Sequence, residues 1–367
     1  MKSGKGHFKN IKDLFYIARV GSQIRNELMV SSTPLTPINL EEETGKFLKS
    51  TKYNPRFIYK SPGLKRYDIV IDDLERKAEL LDLPDDLFFH IIEYLNHLRL
   101  LYHARHSIGR PTFPVYAKLV FNWEIIKPEI VLKEIPKTKF DNENKTKLNN
   151  ALEIRDKLKE TIDKKYKIPN FDVRINNISK NLIFVNFDTI YIGKDIKRFQ
   201  NNVERLIVHE VESHVIQNYN IRISNNPLRT MSLFSASELY SEGLAVYNEI
   251  NTKTITKKSF DNYYFRLKAA NNLHLGFREL FDLLITDGLT VKHAFNITYR
   301  AKRGMADTSK PGGFPKDSAY LLGYKAVLDY LKHNPEKNMY YAKNPNLTNL
   351  LLKYDLIGEK RLLTPKF

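Results

Sequence analysis

The strongest periodic signal lies between residues 84 and 106, where Leu87, Ile91, Tyr94, Leu95, Leu98 and Leu101 recur at steps of one, three and four. That spacing places them on one face of an α-helix. Pro84 stands at its beginning and Asp85 and Asp86 in its first turn, where a helix dipole favours acid. The helix is expected to end near "SIGRP" at 107–111. His97, His103 and His106 alternate there with Leu and Arg, which predicts a solvated or half-buried face for all three. Ahead of it, residues 1–45 read as a helix followed by an extended arm, "SSTPLTPINLEEE" placing two prolines before a run suited to a helix start. "NPRFIYKSPGL", at 54–64, reads as a short strand or loop bounded by prolines.

Farther on the pattern changes. "KTKFDNENKTKLNN", 137–150, is the most polar stretch, a surface loop or the start of a helix expected over 149–165. Strand-like segments follow: "FDVRIN" (171–176), "NLIFVNF" (181–187) and "TIYIG" (189–193). A helical run then covers 199–218, with Val203, Leu206, Ile207 and Val211 turned to the core. From about 236 the pattern is mostly helical, broken by "SKPGGFPKD" at 309–317, whose glycines and prolines demand a loop. Trp123 in "VFNWEI" reads as core. No repeat or linker divides the chain. The expected fold is α+β and predominantly helical, with a small β-sheet beside the 199–218 helix. An N-terminal helix and arm (1–45) would precede a single domain (46–367), its N-terminal helical part at 46–140 and its core at 150–335.

Composition narrows the class. Hydrophobic residues make up 42% and aromatics 12% of the 367 residues, which fits a folded globular chain. No segment reaches the roughly 18 consecutive apolar residues of a membrane span, and the basic start "MKSGKGHFKNIKDLFYIARV" has no apolar stretch of signal-peptide length. A soluble, cytoplasmic protein is the expectation. With no cysteine, disulfides and thiolate zinc sites are excluded. Lys and Arg number 59 against 42 for Asp and Glu, a net +17. A polyanionic partner would explain that balance, as would a Lys- and Asn-rich composition of the kind an AT-rich genome encodes. No compact basic block accompanies the charge, which argues against nucleic acid.

The candidate chemistry sits in "LIVHEVESHVIQN", 206–218. His209, Glu210 and His214 resemble the zinc-binding H-E-x-x-H pattern, but the histidines stand five residues apart, not four. On a regular helix a five-residue step turns side chains about 140° apart, too far to share an ion. A π-bulge within 210–213 would absorb the extra residue and bring them together. The alternative is two unrelated histidines at the edge of a buried helix. A catalytic zinc needs a third ligand. In "SASELYSEGLAVYNE" (235–249), Glu238, Glu242 and Glu249 share one helical stripe. Glu242 is favoured because Gly243 beside it lets another backbone approach, while Glu249 would orient a histidine. Glu210, next to the first ligand but aimed differently, is the natural general base; Glu212 is the lesser alternative.

"HEVESH", "SEGLA", "RAKRG" and "GGFPKDSAYLLG", with "YNPRFIY" and "SPGL" upstream, resemble the tubulin-tyrosine carboxypeptidase (MATCAP-type) family, whose bacterial relatives carry a QEGLA motif. The resemblance extends from about residue 35 onward. It implies one zinc per chain held by His209, His214 and Glu242, Glu210 as base, and removal of a C-terminal Tyr or Phe from acidic tails. The chain departs from the pattern at Ser241 (usually Gln), Pro315 (often Thr) and Glu212 (usually small).

A carboxypeptidase must also grip a free carboxylate, for which Arg300, Arg303 and Lys316 are candidates. Tyr320 could donate to the oxyanion or simply pack. "GGFP" could be a mobile cap or a plain turn. "TIYIG" could pair with an extended substrate, and the positive charge would suit an acidic tail. The rival readings are an endopeptidase or aminopeptidase with the same site, and a basic polyanion-binding protein with a degenerate one.

Overall fold

The computed structural model describes residues 11–28, 35–63, 65–135, 147–177, 182–224, 226–356 and 362–367. Most of the polar stretch at 137–150, and residues 1–10 and 29–34 of the N-terminal segment, lie outside them. The chain is α+β and predominantly helical. Among the described residues no helix is long and apolar enough to cross a membrane. Two compact units divide it: Met1–Ile130, Thr230–Ser237 and Tyr263–Ser318 form one, and Val131–Arg229, Glu238–Asn262 and Ala319–Phe367 the other.

In the first unit the long helix spans Asp85–His106, and every residue of its predicted stripe is buried. His97 departs from expectation. It is 6% exposed, and burial pushes its pKa down to about 3. The reason is that helices Ile11–Leu28 and Tyr67–Glu79 both pack on the long helix, so more than one of its faces is covered. His103 and His106 are half-buried, the first stacked on Tyr116 at 5.2 Å between ring centroids. Trp123 is half-buried beside Phe121 and donates its indole N–H to Ser318 Oγ at 2.9 Å.

Helices Leu40–Leu48, Phe277–Thr286 and Val291–Lys302 share an aromatic core in which Phe47 meets Phe277, Phe281 and Phe295 at 4.9–5.4 Å. The described part of the 54–64 segment, 54–63, is loop, with Arg56 bridged to Asp307 and Phe57 N–H donating to Ala306 O at 2.9 Å. The 309–317 loop is a tied turn. The buried Lys302 ammonium donates to the carbonyls of Leu273 (3.1 Å), Lys310 (3.1 Å) and Gly312 (2.8 Å), using all three of its protons.

Beyond that turn, Asp317 is buried and accepts from Arg300 through both carboxylate oxygens and from Arg303 Nη2 at 3.3 Å. Burial alone would raise its pKa; Arg300, Arg303 and Arg266 outweigh it and hold the carboxyl well below the usual range. Its contribution to stability is therefore full above the ordinary carboxylate pKa of about 3.9 and is lost as pH falls through its depressed value. Asp317→Ala should lower the free energy of unfolding by about 3–5 kcal/mol, because two guanidinium groups lose their counter-charge. Urea melts at neutral pH test this; a loss under about 1 kcal/mol would mean that the arginines are satisfied without the aspartate.

The second unit carries the strands β1 (Leu148–Asn150), β2 (Asp172–Asn176), β3 (Ile183–Asn186), β4 (Thr189–Gly193) and β5 (Lys197–Phe199). β1 pairs antiparallel with β5, and the other three form a sheet ordered β2-β4-β3. β4 runs parallel to β2 and antiparallel to β3. "TIYIG" is thus the central strand, with a neighbour on each side, and the expectation that a substrate strand would add to it is corrected. Alternating hydrophobicity marks a strand but not its place in a sheet. Helix Ala151–Glu160 starts in a capping box, Asn150 Oδ1 accepting from Leu152 and Glu153 N–H at 2.9 and 3.1 Å. Ile154, Leu158, Ile190, Ile192, Val203, Val211, Leu244 and Val327 form the core on which the candidate site rests.

Candidate metal centre

The histidine segment is a continuous helical run built of Gln200–Leu206 (α), Ile207–Val215 (π) and Ile216–Ile223 (α). The widening expected as a single bulge within 210–213 is spread over the nine residues Ile207–Val215. In a π-helix the backbone bond runs from i to i+5, so the fifth residue onward stacks over the first. Ser213 follows the same register, its hydroxyl donating to Val208 O at 3.0 Å. The five-residue step is therefore what this segment needs: the His209 and His214 rings lie 5.0 Å apart.

Glu242 comes from helix Phe234–Asn251. This helix crosses helix Ala319–Leu331 with the two backbones in contact, Gly243 facing Gly323. A Cβ on Gly243 would lie 2.1 Å from the Gly323 carbonyl carbon, and one on Gly323 would lie 2.0 Å from Leu239 O. Only glycines permit this approach. Three residues before Gly323, Tyr320 sets its ring 6.3 Å from that of His209.

The donor atoms converge. Glu242 Oε2 lies 3.4 Å from His209 Nε2 and 3.7 Å from His214 Nε2, and one ligand atom from each of the three residues falls within 4.8 Å of the others. Among the described residues these three form the group able to hold a metal ion, and Glu238 is not part of it. The opposite ring nitrogens are held elsewhere. His209 Nδ1 donates to Glu249 Oε1 at 2.6 Å, and Arg205 Nη1 donates to the same oxygen at 2.7 Å. His214 Nδ1 faces Ser241 Oγ at 2.9 Å, and Ser241 donates to Gln217 Oε1 at 2.7 Å.

Two features decide whether this set fits a cation. Tetrahedral zinc with bonds of about 2.0–2.1 Å separates its ligands by roughly 3.3–3.4 Å, close to the 3.4 and 3.7 Å here. The electrostatics agree: burial opposes a charged His209, yet the hydrogen bonds the ring donates to Glu242 and Glu249 push its pKa up to about 10. That demand for positive charge between ring and carboxylate is one a bound cation would meet. The residues fit a divalent metal.

Glu210 is 7% exposed, and its pKa is raised, by burial above all, against the pull of His209 and His214. Glu212 points away. It accepts from Tyr166 Oη at 2.7 Å and Lys165 Nζ at 2.6 Å, which removes it from consideration as the base. Arg300, Arg303 and Lys316 belong to the other unit, where the first two hold Asp317 and Lys316 is half-buried. Arg303 is 5% exposed, with its guanidinium 4.7 Å from the Phe314 ring centroid.

Arg205 and Gln217 escaped sequence reasoning, and Ser241 was noticed only as a departure from a motif. Arg205 precedes His209 by four residues and Gln217 follows His214 by three, spacings that could have marked them as neighbours along the helix. Of their partners, Ser241 is remote in sequence and gave no such signal, while Glu249, expected to orient a histidine, accepts from His209 Nδ1.

A search of curated proteins finds none that matches the chain. A family model described as microtubule-associated tyrosine carboxypeptidase matches residues 86–345, a span that takes in both histidines, Glu210, Glu242 and Tyr320. Because that match covers well over half of the 367 residues, the chain belongs to the microtubule-associated tyrosine carboxypeptidase family.

Proposed function

We propose that the protein is a zinc-dependent carboxypeptidase that removes a C-terminal aromatic residue, Tyr or Phe, from a protein or peptide tail. The observation that carries this reading is the meeting of His209 Nε2, His214 Nε2 and Glu242 Oε2 beside the buried Glu210. Family membership supports the tyrosine carboxypeptidase class. Zinc held by the three ligands would supply Lewis acidity toward the scissile carbonyl.

The remaining steps fall to the chain's own side chains. Glu210 accepts a proton from the attacking water at its carboxylate and returns it to the leaving amine nitrogen. Its raised pKa is the direction such a two-way carrier requires. Tyr320, beside His209, donates its hydroxyl to the oxygen that gains charge in the tetrahedral state. Recognition of the substrate's terminal carboxylate calls for a cation, and Arg300, Arg303 and Lys316 are the residues proposed for it. The net +17 charge favours approach of an acidic tail.

Metal content of protein purified without chelator, measured by mass spectrometry beside His214→Ala, tests the site. About one zinc per chain, lost in the variant, is expected. Peptides ending in Tyr or Phe, with free and amidated C-termini, then test the reaction. Cleavage of the free acid alone marks a carboxypeptidase. Equal cleavage of both would replace it with an endopeptidase or aminopeptidase. Absence of zinc, together with steeply salt-dependent binding to polyanions, would favour a basic binding protein.

A further inference from the structure

We propose that Ser241 and Gln217 are positioning residues that lock His214 in the tautomer protonated at Nδ1, so that Nε2 presents its lone pair to the metal. This rests on the metal-site reading above.

The lock follows from which atoms can donate. Gln217 Nε2 lies 2.9 Å from the carbonyl oxygen of Met339. A carbonyl only accepts, so the amide nitrogen faces Met339 and Oε1 faces Ser241. Oε1 also only accepts, and it lies 2.7 Å from Ser241 Oγ, so the hydroxyl must donate to it. That uses the single proton of Ser241. Toward His214 Nδ1, at 2.9 Å, the serine oxygen is left with lone pairs, and the ring nitrogen must carry the hydrogen. Gln217 is 0% and Ser241 5% exposed, so bulk water does not compete for these positions. The direction of the chain is set at Met339, three hydrogen bonds from the metal ligand.

The two histidines are thus oriented by different means. His209 donates to a carboxylate that also receives Arg205, whereas His214 donates to a neutral hydroxyl whose polarity a glutamine imposes. Both leave Nε2 as the ligand atom. Outer partners of this sort set ring orientation and ligand strength at metal sites.

The test uses the full-length protein, with its zinc dissociation constant measured by chelator competition and the melting temperature of each metal-free variant measured alongside. Ser241→Ala and Gln217→Met should each weaken zinc binding about 10- to 100-fold. Gln217→Met is the decisive variant, since Gln217 makes no hydrogen bond to His214 and methionine keeps the side chain's volume. Freed from Oε1, the Ser241 hydroxyl can turn and donate to Nδ1, which stabilises the wrong tautomer. Nitrogen-15 shifts of His214 in the zinc-loaded wild type should show Nδ1 protonated. Ser241→Thr, which keeps the hydroxyl, should restore near-wild-type affinity. A Gln217→Met protein that melts lower but binds zinc within twofold of wild type would overturn the proposal and leave Gln217 a packing residue. Failure of the wild type itself to bind zinc would instead overturn the metal-site reading, and this inference with it.

Discussion

Glu210→Gln should lower kcat by about 100- to 10,000-fold while zinc content stays at the wild-type level. Glutamine keeps the size and shape of the side chain but cannot take a proton at the carboxylate position. Glu210 is not among the three converging donors, so metal binding should survive its neutralisation. Neutralisation should also be well tolerated structurally, because burial already disfavours the charged carboxylate. The natural control is Glu212→Gln. That residue is also a glutamate buried in the π-helix, but it is committed to Tyr166 and Lys165. The control should lose some stability and little kcat. Hydrolysis of a peptide ending in Tyr, measured beside metal content, reads both variants. Unchanged turnover in Glu210→Gln, or a larger loss in Glu212→Gln, would transfer or remove the base assignment.

How much of this was legible in the sequence depended on the range of the interaction. The stripe on Asp85–His106 was legible because helical periodicity is local and its apolar face is buried as a unit. His97 was not, since its burial depends on two other helices that the pattern of its own helix does not encode. The five-residue histidine step was informative because helix geometry makes it wrong for an α-helix, which left a π-helical distortion as the way to join the rings. Its spread over nine residues was not legible in the spacing, nor was the contact made within it by Asn248, which donates to Ser213 Oγ at 2.9 Å. The strands were legible one by one, yet β4's central place was not, because register and order are set between segments. The same limit hid Asp317, whose charge organises Arg300 and Arg303. Lys302 shows it again: the cation that ties the 309–317 turn looked like any other lysine in a chain with 59 basic residues.

The largest structural effect is expected at the glycine crossing. In an exposed helix Gly→Ala stabilises by about 1 kcal/mol, because alanine has less backbone freedom to lose. At Gly323 the sign should reverse. The new methyl would lie 2.0 Å from Leu239 O and 2.9 Å from the Gly243 backbone, and no rotamer change moves a backbone away. The two helices would have to part, at a cost of about 3 kcal/mol or more. Parting them would shift Glu242 on one helix and Tyr320 on the other, and a misplacement of about 1 Å in a catalytic group costs roughly 100-fold in rate. Gly323→Ala, and Gly243→Ala from the opposite side, should therefore lose stability, zinc affinity and activity together. Gly45→Ala supplies the contrast, since a methyl added to that helical glycine would meet nothing within 4 Å and should be neutral to stabilising. Thermal melts and zinc competition on the three variants decide it. If Gly323→Ala melts no lower than Gly45→Ala, the close crossing does not exist in solution, and Glu242 must reach the histidines by some other packing.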